Sequence, residues 1–408
     1  MKIGIVSDMH IGYERFEEDA RAQAREALIK AAGLADAIIV PGDVFDRRAP
    51  PPHVIAEAIK IFRETGDILQ GKAKVLRKEG GDGKLYTDIP IIAISGTHER
   101  TAIGSENAVT LLGLAGILVD TSEAVTTIEK DGERVAIFGL GGISEERVRD
   151  KLAELKPKPE KGAFNIFMFH QSIYEILPFS EDFIHYEDLP EGFDLYVDGH
   201  IHSRVDATVH GKQFIIPGST VLTQLKEGEQ ESKGFVLYDT KSRSYEFVKI
   251  NSRKFIVLHI KSEKFTPNEI AEKSDREIAR TVEEVGGKPI IKLIVEGEMA
   301  LGYNSADLQL RSVTKKYVEH AIIDIDSSKL ESPELEEKLE GVRDSKLGGI
   351  PIKDKGMEML KSRLKEYGYS GKFDAVQLFE MLSSDSSKDK VIKAAIEALY
   401  GNYQQPQE

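Results

Sequence analysis

The sequence predicts an α/β protein whose larger part is a β-sandwich flanked by helices, followed by a small α/β domain and a helical C-terminal tail. Short apolar runs of strand length recur through the first half of the chain, and each ends in a loop with acidic residues or histidines. Amphipathic helical stretches lie between these runs, and segments that alternate like antiparallel strands follow them. These three observations predict the fold class.

Five of the apolar runs end in polar loops. In α/β sheets, ligands bind beyond the carboxyl ends of parallel strands, where loops that are distant in sequence converge. We therefore expect the polar residues of these loops to form one site. The runs are KIGIVSDMH, DAIIVPGDVFD, IPIIAISGTHE, FNIFMFHQS and FDLYVDGHIHS, and their polar residues are Asp8, His10, Asp43, Asp46, Thr97, His98, Glu99, His170, Asp198, His200 and His202.

The elements between and after these runs complete the sandwich. Amphipathic helices are expected over about 16–34, 53–65 and 105–115, where they would cover the faces of a central sheet. The segments RVDATVHGKQFIIPGS and GFVLYDTKSRSYEFVKI alternate apolar and polar residues, which predicts antiparallel strands that extend the sheet or add a second one.

The composition changes near residues 250–256, and a second unit is predicted from there. Two strand-like runs, KFIVLHIKS and KPIIKLIVEGE, alternate with helical stretches and precede HAIIDIDS, which gives the order β-α-β-α-β. We predict domains over 1–250, 251–330 and 331–408. The last contains short amphipathic helices that either dock onto a partner or pack on the parent domain.

Composition limits the chemistry. A chain of 408 residues with 40% hydrophobic composition is too long for one compact core. It has no apolar run of membrane-spanning length and no signal peptide, so a cytoplasmic protein is expected. Because the chain has no cysteine, any metal must be held by histidines, carboxylates or hydroxyls. A net charge of −14 opposes nucleic-acid binding, although bound divalent cations can make one face attract phosphate.

The spacing of the strand-end residues favours metal binding. Asp8 and His10, like His200 and His202, are two positions apart and project in one direction from an extended segment. Any one histidine alone is explained by hydrogen bonding in a loop; together they indicate metal ligands, with Asp43 able to bridge two ions. Two ions roughly 3.5–4 Å apart would clamp a phosphoryl group, so phosphoester hydrolysis is the predicted reaction.

The motifs D-x-H, G-D-x-x-D, G-x-H-E, H-Q and G-H-I-H resemble those of the calcineurin-like metallophosphoesterases, specifically the double-strand-break repair nucleases of the Mre/SbcD family. Finer matches to that family are SDMHIGY at 7–13, GDVFDRRAPPP at 42–52, DGHIHSR at 198–204 and IPGST at 216–220. The resemblance covers residues 1–250. The later domains match the family's capping, DNA-recognition and ATPase-docking regions only in order and size.

The resemblance implies a role for each site residue. One ion would be held by Asp8, His10, Asp43 and His202, and the other by Asp43, Thr97, His170 and His200. His98 would be the catalytic residue that contacts the scissile phosphate and protonates the leaving oxygen. Thr97 stands where the family usually has asparagine, so either the second site is weaker or the hydroxyl, or a water, fills the position. No catalytic role is expected for Asp46.

The resemblance also implies function and partners. It implies a DNA nuclease with two Mn²⁺ per subunit, replaceable by Mg²⁺ or another divalent ion, acting as a double-strand 3′–5′ exonuclease and single-strand endonuclease. The partners would be DNA, a coiled-coil ABC-type ATPase of the SbcC-like family and a second copy of the chain, in the cytoplasm at the nucleoid. The alternatives are a phosphoesterase of small phosphoesters and a catalytically weak scaffold subunit of the repair complex.

Overall fold

The fold is described from a computed structural model over residues 1–80, 83–101, 105–226 and 229–332. No helix in these ranges is both long enough and apolar enough to cross a membrane. Most of the predicted helical tail, residues 333–408, lies outside the described residues.

Strands and helices occupy most of the described chain. The strands are β1 (Lys2–Ile5), β2 (Ala37–Pro41), β3 (Lys74–Gly80), β4 (Ile91–Ile94), β5 (Val119–Asp120), β6 (Ala124–Lys130), β7 (Glu133–Leu140), β8 (Phe164–Phe169), β9 (Leu195–Asp198), β10 (Val205–Val209), β11 (Lys212–Ile216), β12 (Gly234–Asp239), β13 (Ser244–Lys249), β14 (Phe255–Phe265), β15 (Ile290–Met299) and β16 (Ile322–Glu331). The helices are α1 (Glu17–Leu34), α2 (Pro52–Leu69), α3 (Ala108–Leu114), α4 (Glu145–Leu155), α5 (Pro267–Val285) and α6 (Leu310–Lys315).

Two sheets form the larger part of the fold. Over the described residues the first has six strands in the order β13-β12-β1-β2-β4-β5, with β1, β2, β4 and β5 parallel. The second, counted over the same ranges, has seven in the order β10-β11-β9-β8-β7-β6-β3, with β11, β9, β8 and β7 parallel. The predicted antiparallel hairpins are present as β10–β11 and β12–β13.

The two sheets pack face to face, which confirms the predicted β-sandwich. Ile5 and Ile39 of the first sheet share a buried apolar cluster with Ile137, Ile166 and Val197 of the second. This cluster forms because β1, β2, β4, β8 and β9 are apolar on both faces, as expected for parallel strands covered on both sides.

Helices cover the outer faces. Ala27 of α1, Phe62 of α2 and Leu112 of α3 pack in one buried cluster with the outer face of the first sheet. Val148 and Leu152 of α4 pack on the second sheet. The helix predicted over about 105–115 is observed over Ala108–Leu114, while α4 was not predicted because few of its residues are apolar.

The later elements follow the predicted order β-α-β-α-β as β14, α5, β15, α6 and β16. The three strands form a third sheet in the order β14-β15-β16. The chain divides into two compact units, of which the first comprises Met1–Leu258, Ile278–Lys292 and Tyr317–Asp324 and contains the whole β-sandwich. Over the described residues, the second comprises His259–Glu277, Leu293–Lys316 and 325–332. The domain boundaries at 250 and 330 stay predictions.

Candidate metal centre

The polar loops that follow β1, β2, β4, β8 and β9 meet at one edge of the β-sandwich. The strands within each sheet are parallel here, so their carboxyl ends point the same way. Hydrogen bonds donated by main-chain amides join the loops. The amide of Asp8 donates to the carbonyl of Gly42 at 3.3 Å, and the amide of His200 donates to the Asp8 carboxylate at 3.1 Å. The convergence expected from the sequence is therefore present.

One set of side chains, which we call the Asp8 group, consists of Asp8, His10 and His202. Their ligand-type atoms lie within 4.8 Å of one another, a geometry that could hold a metal ion. The Nε2 atoms of His10 and His202 are 3.1 Å apart, and His202 Nε2 lies 3.9 Å from Asp8 Oδ1. Asp8 and His10 are buried.

A second set, the Asp43 group, consists of Asp43, His170 and His200 and satisfies the same distance condition. His170 Nε2 lies 3.3 Å from Asp43 Oδ2. Thr97 is placed beside this group, with its hydroxyl oxygen 3.2 Å from His200 Nδ1. A hydroxyl at this distance either hydrogen-bonds the imidazole or shares a cation with it.

Asp43 lies between the two groups. Its Oδ2 is 3.3 Å from His170 Nε2 and 3.9 Å from His10 Nε2, while Oδ1 accepts a hydrogen bond from the His98 amide at 2.9 Å. One carboxylate thus faces both sets of histidines, as a bridging ligand must.

Four of the site residues have an unusual backbone conformation. Asp8, His10, Asp43 and His200 all have positive φ, at 49°, 45°, 47° and 66°, a conformation that is uncommon for residues other than glycine. Side chains held in such conformations by the surrounding fold cluster at functional sites.

The ligand-type atoms of His170 and Asp43 are suited to bind a cation. His170 Nδ1 lies 2.8 Å from the carbonyl of Pro41, which can only accept, so Nδ1 carries the proton of the neutral ring. The lone pair of Nε2 then faces the Asp43 carboxylate, and this buried nitrogen has no hydrogen-bond partner among the described residues. Two electron-rich atoms facing each other at 3.3 Å need a proton or a metal ion between them.

His98 lies at the exposed side of the cluster. Its Nδ1 donates to the carbonyl oxygen of Asp46 at 2.6 Å, and its side chain is 42% exposed. Its ring packs edge-on against that of His10, with centroids 4.8 Å apart. Because Nδ1 is engaged, Nε2 is the atom left to meet a substrate.

A sequence profile of the calcineurin-like phosphoesterases matches residues 1–204, half of the chain. The chain belongs to the calcineurin-like phosphoesterases. The matched range includes every strand-end residue of the cluster. The predicted fold class and the prediction of a metal-dependent phosphoesterase are thereby confirmed.

Three curated relatives of this phosphoesterase are double-strand break repair proteins. The double-strand break repair protein MRE11 of Encephalitozoon cuniculi is 29% identical over 63% of this chain and 49% of its own length. The DNA double-strand break repair proteins Mre11 of Sulfolobus acidocaldarius and Archaeoglobus fulgidus are 27% and 26% identical, over 78% and 64% of this chain and 81% and 62% of their own. The predicted resemblance to the Mre/SbcD family is confirmed, although the chain spans only about half the length of the first relative.

The electrostatics of this phosphoesterase site follow from burial and from Asp43. Burial opposes protonation of His170, but the Asp43 carboxylate outweighs it and raises the pKa of His170 to about 10. His170 in turn holds the pKa of Asp43 below its usual range, against the effect of burial. Burial raises the pKa of Asp8 to about 6, and burial together with His170 lowers that of His200 to about 4. In the metal-free protein at neutral pH, a proton on His170 therefore takes the place of a cation beside Asp43.

The structure gives a role to Glu99, which the sequence placed at a strand end without assigning it one. Glu99 is fully buried and accepts hydrogen bonds from the amides of Phe45 at 2.6 Å and Gly96 at 2.7 Å, which ties the β2 loop to the β4 loop. Burial, together with the charge of Asp43, raises the pKa of Glu99 to about 8.

Two other strand-end acids have different surroundings. Asp46, for which no catalytic role is expected, places its Oδ1 3.4 Å from His10 Nδ1 and could form a third ligand group with His10 and His98. Asp198 instead accepts a hydrogen bond from the Gln171 amide at 3.1 Å, so it orients the loop after β8.

Proposed function

We propose that this phosphoesterase is a DNA nuclease that hydrolyses phosphodiester bonds with two bound divalent ions, Mn²⁺ by preference. The observation that carries the proposal is the position of Asp43 Oδ2, which faces a histidine of each group at 3.3 and 3.9 Å. The proposed ligands of the first ion are Asp8, His10, Asp43 and His202, and those of the second are Asp43, Thr97, His170 and His200.

The residues have distinct tasks in this proposal. When bound, two such ions polarise the scissile phosphoryl group and supply a hydroxide nucleophile. His98 has Nδ1 anchored on Asp46 and Nε2 free, so it donates a proton from Nε2 to the leaving oxygen. Glu99 keeps the loops that carry Asp43 and His98 in register through its two main-chain hydrogen bonds.

DNA as the substrate is supported by the names of the relatives, which are DNA double-strand break repair proteins. Exposed cationic side chains in the site's own loops add local support. Arg47 and Arg48 follow Asp46, and Arg204 follows His202. Phosphate contacts of this kind position a nucleic acid despite a net charge of −14.

The substrate is tested by comparing two phosphodiesters under the same conditions. With Mn²⁺ we expect the protein to degrade end-labelled duplex DNA from 3′ ends and to cut circular single strands, at a higher kcat/KM than for a small chromogenic diester. Chelation of the metal should abolish all three activities, and Asp43→Ala protein prepared in parallel excludes a contaminating nuclease. Turnover of the small diester without DNA cleavage would support the small-phosphoester alternative, and no activity on either would support the scaffold alternative.

We further propose that residues 251–330 are a capping, DNA-recognition domain and that residues 331–408 dock onto a coiled-coil ABC-type ATPase of the SbcC-like family. The support for docking is the sequence DAVQLFEMLSSDSSKDKVIKAAIEALYG, which carries two short apolar stripes. Helices this short need a surface on which to bury such stripes. Deleting residues from about 340 onward should abolish co-purification with the ATPase and spare Mn²⁺-dependent cleavage. Unchanged ATPase binding by the truncated protein would exclude this role.

A homodimer is also part of the proposal. Leu111 and Leu114 of α3 are 51% and 44% exposed, so this helix presents apolar side chains on which a second copy of the chain can pack. Light scattering should give the mass of two chains for the wild type and of one chain for Leu111→Glu. A monomeric wild type would contradict this part.

A further inference from the structure

A set of polar side chains, of which Glu229 and Lys233 are buried, lies on the Nδ1 side of His202. Nδ1 of His202 forms a hydrogen bond with the hydroxyl of Thr223, while Nε2 faces His10 Nε2 at 3.1 Å. Thr223 is itself anchored, because its carbonyl oxygen accepts a hydrogen bond from the Tyr13 hydroxyl at 2.8 Å. The hydroxyl is thus held in line with the imidazole.

Glu229 holds Thr223 in turn. Its carboxylate accepts hydrogen bonds from the amides of Thr223 at 3.3 Å and Gln224 at 2.9 Å, and its Oε1 lies 3.5 Å from the Thr223 hydroxyl. Lys233 Nζ donates to Glu229 at 3.1 Å and to Ser219 Oγ at 2.9 Å. The side chains of Glu229 and Lys233 are only 6% and 8% exposed, so this ion pair is buried.

The chemistry of the donors sets the direction of the hydrogen bonds. A carboxylate only accepts, and a hydroxyl has one proton, which is best placed on the anionic oxygen of Glu229. The Thr223 oxygen then accepts from His202, so the neutral ring carries its proton on Nδ1. The lone pair of Nε2 is left facing Asp8 and His10. A polar partner behind a ligating histidine fixes its tautomer and orientation in this way.

We propose that Thr223, supported by the buried Glu229–Lys233 pair, is a positioning residue that fixes His202 as its Nδ1–H tautomer and so raises the metal affinity of the Asp8 group. The proposal rests on the proposed function, in which His202 binds an ion. It is specific to one half of the centre, since the hydrogen bonds described for Thr223 and Glu229 reach His202 and not Asp43, His170 or His200.

The test compares three single variants in the metal-free full chain. Thr223→Val keeps the shape and removes the hydroxyl, whereas Thr223→Ser keeps the hydroxyl. Thr220→Val is the matched control, because the buried Thr220 hydroxyl makes no hydrogen bond to any described residue. In titration calorimetry with Mn²⁺, Thr223→Val should weaken one of two binding constants by about 10–100-fold. Thr223→Ser and Thr220→Val should stay near the wild type.

A second readout does not depend on metal. Long-range ¹H–¹⁵N spectra of the metal-free protein should show His202 as the Nδ1–H tautomer in the wild type and as a mixture in Thr223→Val. An unchanged tautomer, unchanged Mn²⁺ binding, or an equal loss of both ions in Thr223→Val would overturn the inference. A wild type that binds no Mn²⁺ would instead refute the proposed function, and the tautomer would still decide the role of Thr223.

Discussion

In the Asp8 group, the Nδ1 atoms of His10 and His202 face side chains. In the Asp43 group, Nδ1 of His170 faces a main-chain carbonyl. His10 Nδ1 lies 3.4 Å from the carboxylate of Asp46, and His202 Nδ1 contacts the hydroxyl of Thr223. His170 Nδ1 instead donates to the carbonyl of Pro41 at 2.8 Å. Both kinds of partner fix an imidazole and raise its basicity, but an anionic carboxylate such as that of Asp46 does so more than a neutral carbonyl. The Asp8 group should therefore bind its ion more tightly.

The residues nearest each group extend this difference. Thr97, a proposed ligand of the second ion, lies beside the Asp43 group, with its hydroxyl 3.2 Å from His200 Nδ1. Substitutions that act on both ions, on neither or on one test this difference in metal affinity between the groups.

The largest effect is expected from Asp43→Ala, which acts on both groups at once. Removal of the shared carboxylate should abolish hydrolysis and reduce Mn²⁺ binding at both sites, since a bridging ligand has no substitute. His202→Gln and His170→Gln are the matched variants, each expected to weaken one ion. Calorimetric stoichiometry and duplex cleavage measure the outcome. Residual nuclease activity in Asp43→Ala would rule out the two-metal mechanism.

A large effect with both ions retained is expected from His98→Ala. If His98 donates a proton from Nε2, its loss should slow the chemical step by roughly 10²–10⁴-fold. Single-turnover cleavage measures that step, and calorimetry measures the ions. Weaker binding of either ion in this variant would move His98 into the ligand shell, next to Asp46 and His10.

An intermediate effect is expected from pH, and it should differ between the groups. The pKa of His170 is raised to about 10 by Asp43, against burial, so in the metal-free protein its Nε2 is protonated at neutral pH. An ion must displace this proton, so affinity should rise with pH, by at most about tenfold per unit for one proton released. Mn²⁺ titrations at pH 6, 7 and 8 should show a rise for the Asp43 group that continues to pH 8, above the pKa of about 6 at which Asp8 releases its proton. A flat profile would contradict proton displacement.

The sequence predicted that the polar residues after several strand ends lie close together. Apolar runs fixed the ends of β1, β2, β4, β8 and β9, so the polar residues that follow them could be expected at one edge. The same reasoning placed Glu99 at a strand end but assigned it no role, because that role depends on two main-chain amides from separate loops. Thr223 was missed as well, because the loop after β11 carries no metal-ligand spacing and its relation to His202 exists only in three dimensions.

Some helices were likewise predicted from the sequence, and one was not. Helices with a broad apolar face, such as α1 and α2, were predicted to within a few residues. The helix α4 was not predicted, because EERVRDKLAEL buries only Val148 and Leu152 and is held in place by the sheet it covers. Patterns therefore reveal elements with strong periodicity, and packing determines the others.

The smallest effect, and the most direct test of the difference between the groups, concerns Thr97. An amide oxygen reaches further than a hydroxyl and is a better ligand for a divalent ion, and Thr97 is only partly buried, so a slightly longer side chain can be accommodated. Thr97→Asn should lower the Mn²⁺ concentration for half-maximal cleavage several-fold, within the roughly tenfold range of one neutral ligand. Thr97→Val, which keeps the shape and loses the oxygen, should raise it. If both variants match the wild type, the hydroxyl of Thr97 only hydrogen-bonds His200 and does not set the metal affinity of the Asp43 group.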